Sequence, residues 1–93
     1  MKKHEDKELV NLDILIGCIK RESHEQLKKW GVQKRTLPEW LMYLTEEVGE
    51  LNETSAEFIY RLGSVNEIFD EAIQVATLAL KIAEFILYEK REP

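Results

Sequence analysis

The stretch EIFDEAIQVATLALKIAEFIL, residues 67–87, decides the fold, because it is apolar on nearly every side when drawn as a helix. At about 100° per residue, its polar side chains share one narrow strip: Glu67, Asp70, Gln74, Thr77, Lys81 and Glu84. A helix with so little polar surface is buried on most sides. Two other helices from a chain of 93 residues cannot cover it. We therefore expect a homo-oligomer in which a second copy covers the remaining apolar surface.

Two further helices are predicted upstream of this stretch. The first runs from about Glu8 to Trp30 along an apolar stripe at helical spacing, and Gly31 is expected to end it as a left-handed cap. The second opens at TLPE, where Thr36 and Glu39 have the spacing of a capping box and the proline falls in the first turn.

The ends of the second and third helices follow from similar signals. The apolar face of the second helix continues to Leu62, which is followed by a glycine. The third helix opens at SVNE, where Ser64 and Glu67 form another capping-box pattern, and it runs to about Tyr88.

These signals predict an all-α fold, a small helical bundle of three to four helices completed by oligomerisation. We expect a single domain over residues 1–93, with residues 1–7 frayed. The composition agrees, since 44% hydrophobic and 33% charged residues are typical of globular proteins. A net charge of -5 argues against a nucleic-acid polymer as partner, and no apolar run approaches the ~20 residues of a membrane span. The single Cys18 cannot form an internal disulfide, which fits a cytoplasmic protein.

Charge is distributed unevenly along the chain. Residues 20–35 contain six basic and two acidic side chains, whereas acidic side chains concentrate in residues 46–71. A basic half that faces an acidic half would frame a site for a metal-bound polyanion. The simpler interpretation is two ordinary solvated faces.

Carboxylates recur at helical spacing on the second and third helices. Glu47 and Glu50 lie at the edge of the apolar face of the second helix, where a neighbouring helix would pack. If the two helices pack antiparallel, these acids face Glu67 and Asp70. Such all-oxygen donors suit Mg²⁺, with Mn²⁺ as an alternative. Glu67 has a second interpretation, as the capping-box glutamate alone.

The two groups of acids form a recognisable pair of motifs. EEVGE at residues 46–50 has the form EExxE, EIFD at residues 67–70 has the form ExxD, and 16 residues separate them. With this spacing, residues 9–88 resemble the MazG-like nucleotide pyrophosphohydrolases of the all-α NTP pyrophosphatase superfamily. The resemblance implies Mg²⁺-dependent hydrolysis of a nucleoside triphosphate to the monophosphate and pyrophosphate, by a dimer or a tetramer.

The resemblance also implies roles for individual acids. The metal ligands would be Glu47, Glu50, Glu67 and Asp70. Glu46, the first residue of EExxE, would orient or deprotonate the attacking water, and any carboxylate in contact with that water can serve as the general base. Glu46 and Glu47 are therefore the catalytic candidates.

The second motif departs from the pattern of the family. Many members have glycine before the aspartate of ExxD, whereas this chain has Phe69. A further acid, Glu71, follows the aspartate directly. The register of the motif is therefore open, and either Glu67 or Glu71 fits as the ligand.

Substrate contacts are expected from side chains near the polar strip. Lys81 is the first candidate for a phosphate contact and Arg61 the second, with Gln74 between Lys81 and the acids. Trp30 or Trp40 would stack against the base. The alternatives are a salt bridge or a snorkelling side chain for Lys81, and core or interface packing for the tryptophans.

Two other functions remain open from the sequence. The first is a non-catalytic oligomerisation module with the same fold, which the complete set of four acids disfavours. The second is hydrolysis of phosphoribosyl-ATP, to which no residue points. The residues specify neither the base nor the sugar of a nucleotide substrate.

Overall fold

The structure, a computed structural model, describes residues 11–88. Three helices account for nearly all of this range: α1 is Leu12–Trp30, α2 is Leu37–Tyr60 and α3 is Val65–Tyr88. No strand occurs between residues 11 and 88, so the predicted all-α bundle is confirmed with three helices. Residues 1–10 lie outside the described part, and with them the segment expected to fray and the predicted start of the first helix.

Helix α3 is the centre of the bundle. It packs against both α1 and α2, whereas no Cα atom of α1 lies within 8 Å of a Cα atom of α2. Only residues 61–64 connect α2 to α3, and so short a connection makes the two helices an antiparallel hairpin. One face of α2 therefore lies along α3, which is the arrangement that a shared cation site requires.

The N-terminus of α2 forms as predicted. The Glu39 N–H donates to Thr36 Oγ1 at 3.4 Å, and the Thr36 N–H donates to Glu39 Oε1 at 2.8 Å. This reciprocal pair confirms the capping box and satisfies two N–H groups that a helix start leaves unpaired. At the end of α1, Gly31 has the expected positive φ of 72°, but its ψ of -171° lies outside the left-handed helical region.

Two predicted helix ends are wrong in detail. Helix α2 ends at Tyr60 rather than Leu62, because Arg61 is extended at φ -141° and ψ 172°, and Leu62 is fully exposed. Ser64 caps α3 through a bond from the Asn66 N–H to Ser64 Oγ at 3.1 Å. The Glu67 N–H donates to the Ser64 backbone carbonyl instead, so the predicted capping box with Glu67 does not form.

Gly63 is required by close packing of the backbone after α2. A Cβ atom at this position would lie 2.8 Å from the Phe58 nitrogen and 2.9 Å from the Glu57 carbonyl carbon. We expect Gly63→Ala to lower the free energy of unfolding by about 1–3 kcal/mol, the usual cost of overpacking. Gly17→Ala is the control: it lies within α1 with open space around its Cβ position, and should gain roughly 0.5–1 kcal/mol. Urea denaturation measures both, and equal stabilities of the two variants would contradict this account.

Little of the chain is buried. Among residues 11–88, only Trp40, Leu78 and Thr77 are buried, and Thr77 donates from Oγ1 to the Ile73 carbonyl at 2.8 Å. The radius of gyration is 15.3 Å, compared with about 13 Å for a compact domain of 100 residues. Within this range no helix combines the length and the apolar character needed to cross a membrane. The bundle is thus open, with a small core around the middle of α3.

Candidate metal and nucleotide site

Three carboxylates meet between α2 and α3. One oxygen each from Glu47, Glu50 and Glu71 lies within 4.8 Å of the others. Glu47 and Glu50 are one turn apart on α2, and Glu71 approaches from the first turns of α3. We call these three residues the carboxylate cluster. It includes both of the α2 residues predicted as metal ligands.

Burial and mutual repulsion raise the pKa values of two residues of this cluster, Glu47 and Glu71. Desolvation raises the pKa of Glu47 to about 7, and the charge of Glu50, a hydrogen bond with Glu50 and the charges of Glu71 and Glu22 add to the effect. The pKa of Glu71 is also raised, by desolvation first and then by the neighbouring carboxylates, with Glu50 foremost. Like charges brought together in a partly desolvated place favour either a proton or a cation.

Two buried oxygens of the cluster have no partner. Among residues 11–88, Glu47 Oε2 and Glu71 Oε2 are shielded from solvent and accept no hydrogen bond. An unpaired buried acceptor costs about 1–3 kcal/mol, so oxygens left in this state are suited to a ligand that can coordinate them. The donor set is oxygen only, from three acids on two helices, and it therefore fits a hard divalent cation such as Mg²⁺ or Mn²⁺.

The other predicted acids lie outside the cluster. Glu67 and Asp70 are exposed, although their charges contribute to the raised pKa of Glu71. The half-buried Glu71 faces α2. Because successive residues of a helix are about 100° apart, the preceding Asp70 points in a different direction. The predicted set of four ligands is therefore not assembled here, and of the two alternatives for α3 the structure brings Glu71 to the cluster. Glu46 is also exposed and is not one of the three acids of the cluster.

A cleft of about 790 Å³ opens beside the cluster. Glu47 lines it, together with the predicted substrate residues Gln74 and Trp30. Its other side chains include acidic, basic and aromatic groups: Glu22, Glu25, Gln26, Lys28, Lys29, Gln33, Arg35, Trp40, Tyr43 and Leu78. Basic residues of the segment 20–35 and Glu47 of α2 thus line the same cleft.

The two predicted phosphate contacts differ in their positions. Lys81 lines a second cleft, of about 550 Å³, and its Nζ donates to Gln26 Oε1. Gln26 Nε2 in turn donates to Glu22 Oε2 at 2.7 Å, and Gln26 lines both clefts. Arg61 lines neither cleft, and its guanidinium is paired with Glu57 one turn earlier on α2.

Sequence reasoning did not assign roles to Glu22, Gln26 or Arg35. Glu22 and Gln26 lie on α1, and only the packing of α1 on α3 brings them to Glu47 and Lys81. Arg35 precedes α2 and lies over the Tyr43 ring, with its Cζ 3.8 Å from the ring centroid. Arg35 precedes Tyr43 by eight residues, a spacing that no regular helix pattern predicts. The sequence therefore indicated only that the segment around Arg35 is basic.

The raised pKa of Glu47 predicts a pH dependence of stability. A carboxyl whose pKa is higher in the folded than in the unfolded protein stabilises the folded state when protonated, and this contribution is lost as pH rises from the ordinary 4.5 to about 7. In EDTA, we expect Tm to fall by roughly 5 °C between about pH 5 and pH 8, corresponding to about 1 kcal/mol. Glu47→Gln should remove most of the fall, and Glu53→Gln, an exposed acid of the same helix, should keep it. A pH-independent Tm of the wild type would contradict the prediction.

Comparisons of the chain with protein-family models, with curated proteins and with solved structures found no match.

Proposed function

We propose that this chain is a Mg²⁺-dependent nucleoside triphosphate pyrophosphohydrolase, which converts an NTP or dNTP to the monophosphate and pyrophosphate. One observation carries the proposal: a carboxylate cluster with two unpartnered buried oxygens lies beside a cleft that also contains cationic and aromatic side chains. A divalent cation, a phosphate chain and a base each have a chemically matched surface there. The EExxE and ExxD motifs support the same reaction class.

Each acid of the cluster has a role in this reaction. Glu47, Glu50 and Glu71 would hold the cation, and Mg²⁺ bound there supplies neutralisation of the charge on the phosphates. Glu47 is the acid of the cluster that lines the cleft, so we assign it the proton of the attacking water. The water oxygen forms a bond to the α-phosphorus, and the bridging bond to the β-phosphate breaks to release pyrophosphate. We assign no proton transfer to Glu46, which is exposed and is not one of the three acids of the cluster.

Trp30 is the better of the two tryptophans for stacking against the base. It is 61% exposed and lines the cleft, whereas Trp40 is 8% exposed and its ring faces are used in packing. Lys29 Nζ lies 5.7 Å from the Trp30 ring centroid, which leaves a cation beside the same surface. Gln74 lines the same cleft and can donate to a phosphate or sugar oxygen.

We also propose that the protein is a homo-oligomer, a dimer or a tetramer, in the cytoplasm. Large apolar side chains of α3 are exposed, including Phe69 at 45% and Leu80 at 54%. Monomers rarely leave a contiguous apolar face open, so a second copy is the natural cover. Sedimentation equilibrium should give a multiple of the 11.0 kDa chain mass, and a monomer at that mass would contradict this part of the proposal.

The reaction is tested by product analysis on a panel of NTPs and dNTPs, with Mg²⁺ and with EDTA. We expect pyrophosphate and the nucleoside monophosphate in equal amounts, in Mg²⁺ only, and the panel ranks bases and sugars. Phosphoribosyl-ATP is included as a further substrate of the same reaction class. Release of inorganic phosphate with a nucleoside diphosphate would contradict the assigned bond. No product from any nucleotide would favour the non-catalytic oligomerisation module, which the exposed α3 face also suits.

A further inference from the structure

The second cleft, of about 550 Å³, is cationic. It is bounded by the end of α1, the segment that follows it and the second half of α3. Lys34, Arg35 and Lys81 line it, and Glu84 is the single acid among its lining residues in the described part of the chain. Arg35 and Trp40 line both clefts, so the two are adjacent and share one wall.

Arg35 is fixed in place but retains its hydrogen-bond donors. Its Cζ lies 3.8 Å from the Tyr43 ring centroid and 5.3 Å from the Trp40 ring centroid, so the guanidinium stacks on two aromatic side chains. Between residues 11 and 88 the one ion pair is Arg61 with Glu57, and Arg35 donates no side-chain hydrogen bond there. A stacked guanidinium with a free edge has the geometry that recognises phosphate oxygens.

Arg35 and Lys81 place two positive charges close together. Lys81 is half-buried, and desolvation lowers its pKa, with the charge of Arg35 adding to the effect. Glu22 and Glu84 act in the opposite direction but do not cancel the shift. The single hydrogen bond of the Lys81 ammonium within the described residues goes to Gln26, so two of its three donors are unused. An anion between the two cations would relieve their repulsion.

We infer that Arg35 and Lys81 form an anion subsite for the terminal phosphates of the substrate, next to the carboxylate cluster. The inference rests on the proposed function, which it deepens by assigning the phosphate chain to the second cleft and Arg35 to both clefts. The phosphate chain of a bound nucleotide would extend from the carboxylate cluster along Arg35 to Lys81. Nucleoside monophosphates, which lack those phosphates, would not use the subsite.

The test is calorimetric titration of inorganic pyrophosphate into the protein in EDTA. Without a divalent cation the carboxylate cluster repels the anion, so the metal site contributes no binding, and the variants report the contribution of the Arg35–Lys81 subsite. We expect Arg35→Gln and Lys81→Gln each to raise Kd at least about tenfold, since each removes charged hydrogen bonds. Arg35→Lys, which keeps the charge and loses the planar fork, should raise Kd by roughly three- to tenfold. Arg21→Gln removes an exposed arginine of α1 that lines neither cleft, and should stay within about twofold.

Wild-type binding that Arg35→Gln and Arg35→Lys leave unchanged would overturn the inference, as would the absence of pyrophosphate binding to the wild type. If Arg35→Gln does not fold by circular dichroism, Arg35→Lys and Lys81→Gln decide the result. The outcome is separable from the proposed function, because binding is read without turnover. Arg35-dependent binding without hydrolysis of any nucleotide would refute the enzyme and leave the subsite. Hydrolysis together with Arg35-independent binding would refute the subsite alone.

Discussion

Replacing Glu47 by glutamine is expected to reduce Mg²⁺-dependent pyrophosphate release by about 10²- to 10⁴-fold, the usual contribution of a general base. The loss has two physical causes. Glutamine cannot accept the proton of the attacking water, and it replaces a charged oxygen of the carboxylate cluster by a neutral amide. The substitution keeps the size and shape of a half-buried side chain, so the fold should be preserved. Initial rates of pyrophosphate release at saturating Mg²⁺ measure the effect.

The matched control for Glu47→Gln is Glu53→Gln. Glu53 is exposed on the same helix, lines neither cleft and is not part of the cluster. Its replacement makes the same change of net charge and should leave the rate within about twofold, as for an ordinary surface substitution. Equal rates for the wild type and Glu47→Gln would remove Glu47 from the site. Equal losses in the two variants would show a general effect of charge.

Replacing Glu71 by glutamine is the second change with a large expected effect. Removing a residue that only orients a metal ligand lowers metal affinity or activity by about 10- to 100-fold. Removing a ligand itself should therefore lower activity by at least about 100-fold. Much of the loss should appear as a higher Mg²⁺ concentration for half-maximal activity. The ExxD spacing points instead to Asp70, which the structure leaves exposed.

The comparison of Glu71→Gln with Asp70→Asn therefore decides the register of the second motif. We expect the Glu71 variant to be impaired and the Asp70 variant to keep most of its activity, because Asp70 acts on the cluster only through its charge. Glu67→Gln should resemble the Asp70 variant, since Glu67 is also exposed. A severe defect in Asp70→Asn together with a mild one in Glu71→Gln would show that the motif register holds and that α3 is turned differently in the active protein.

Local chemistry made most of the fold predictable. The Thr36–Glu39 capping box and Gly31 at the end of α1 depend only on nearby residues, and the three helices follow from hydrophobic periodicity. The errors arose where two local solutions compete. Ser64 satisfies the N–H of Asn66 instead of Glu67, and the backbone leaves α2 at Arg61 to allow the close turn at Gly63. Such choices are decided by packing, which the sequence pattern does not contain.

The candidate site was predictable on α2 and less so elsewhere. Glu47 and Glu50 were found because their spacing places them at the edge of an apolar face. On α3 the three acids Glu67, Asp70 and Glu71 are close in sequence, and the rotation of α3 against α2 decides which one enters the cluster. Glu22 and Arg35 reach the clefts through the packing of α1 and of the segment before α2. Contacts between segments that are far apart in the chain have no fixed residue spacing, so a single sequence does not reveal them.

The central claim is that the carboxylate cluster binds Mg²⁺, and the change of Tm on adding Mg²⁺ tests it most directly. A cation that binds only the folded protein stabilises it by about 2.7 kcal/mol at about 100 times Kd. We predict a rise of Tm that saturates with Mg²⁺ in the wild type and in Glu53→Gln, and that is lost in Glu47→Gln and Glu71→Gln. A Tm that does not respond to Mg²⁺, or one that rises equally in all four proteins, would contradict the account.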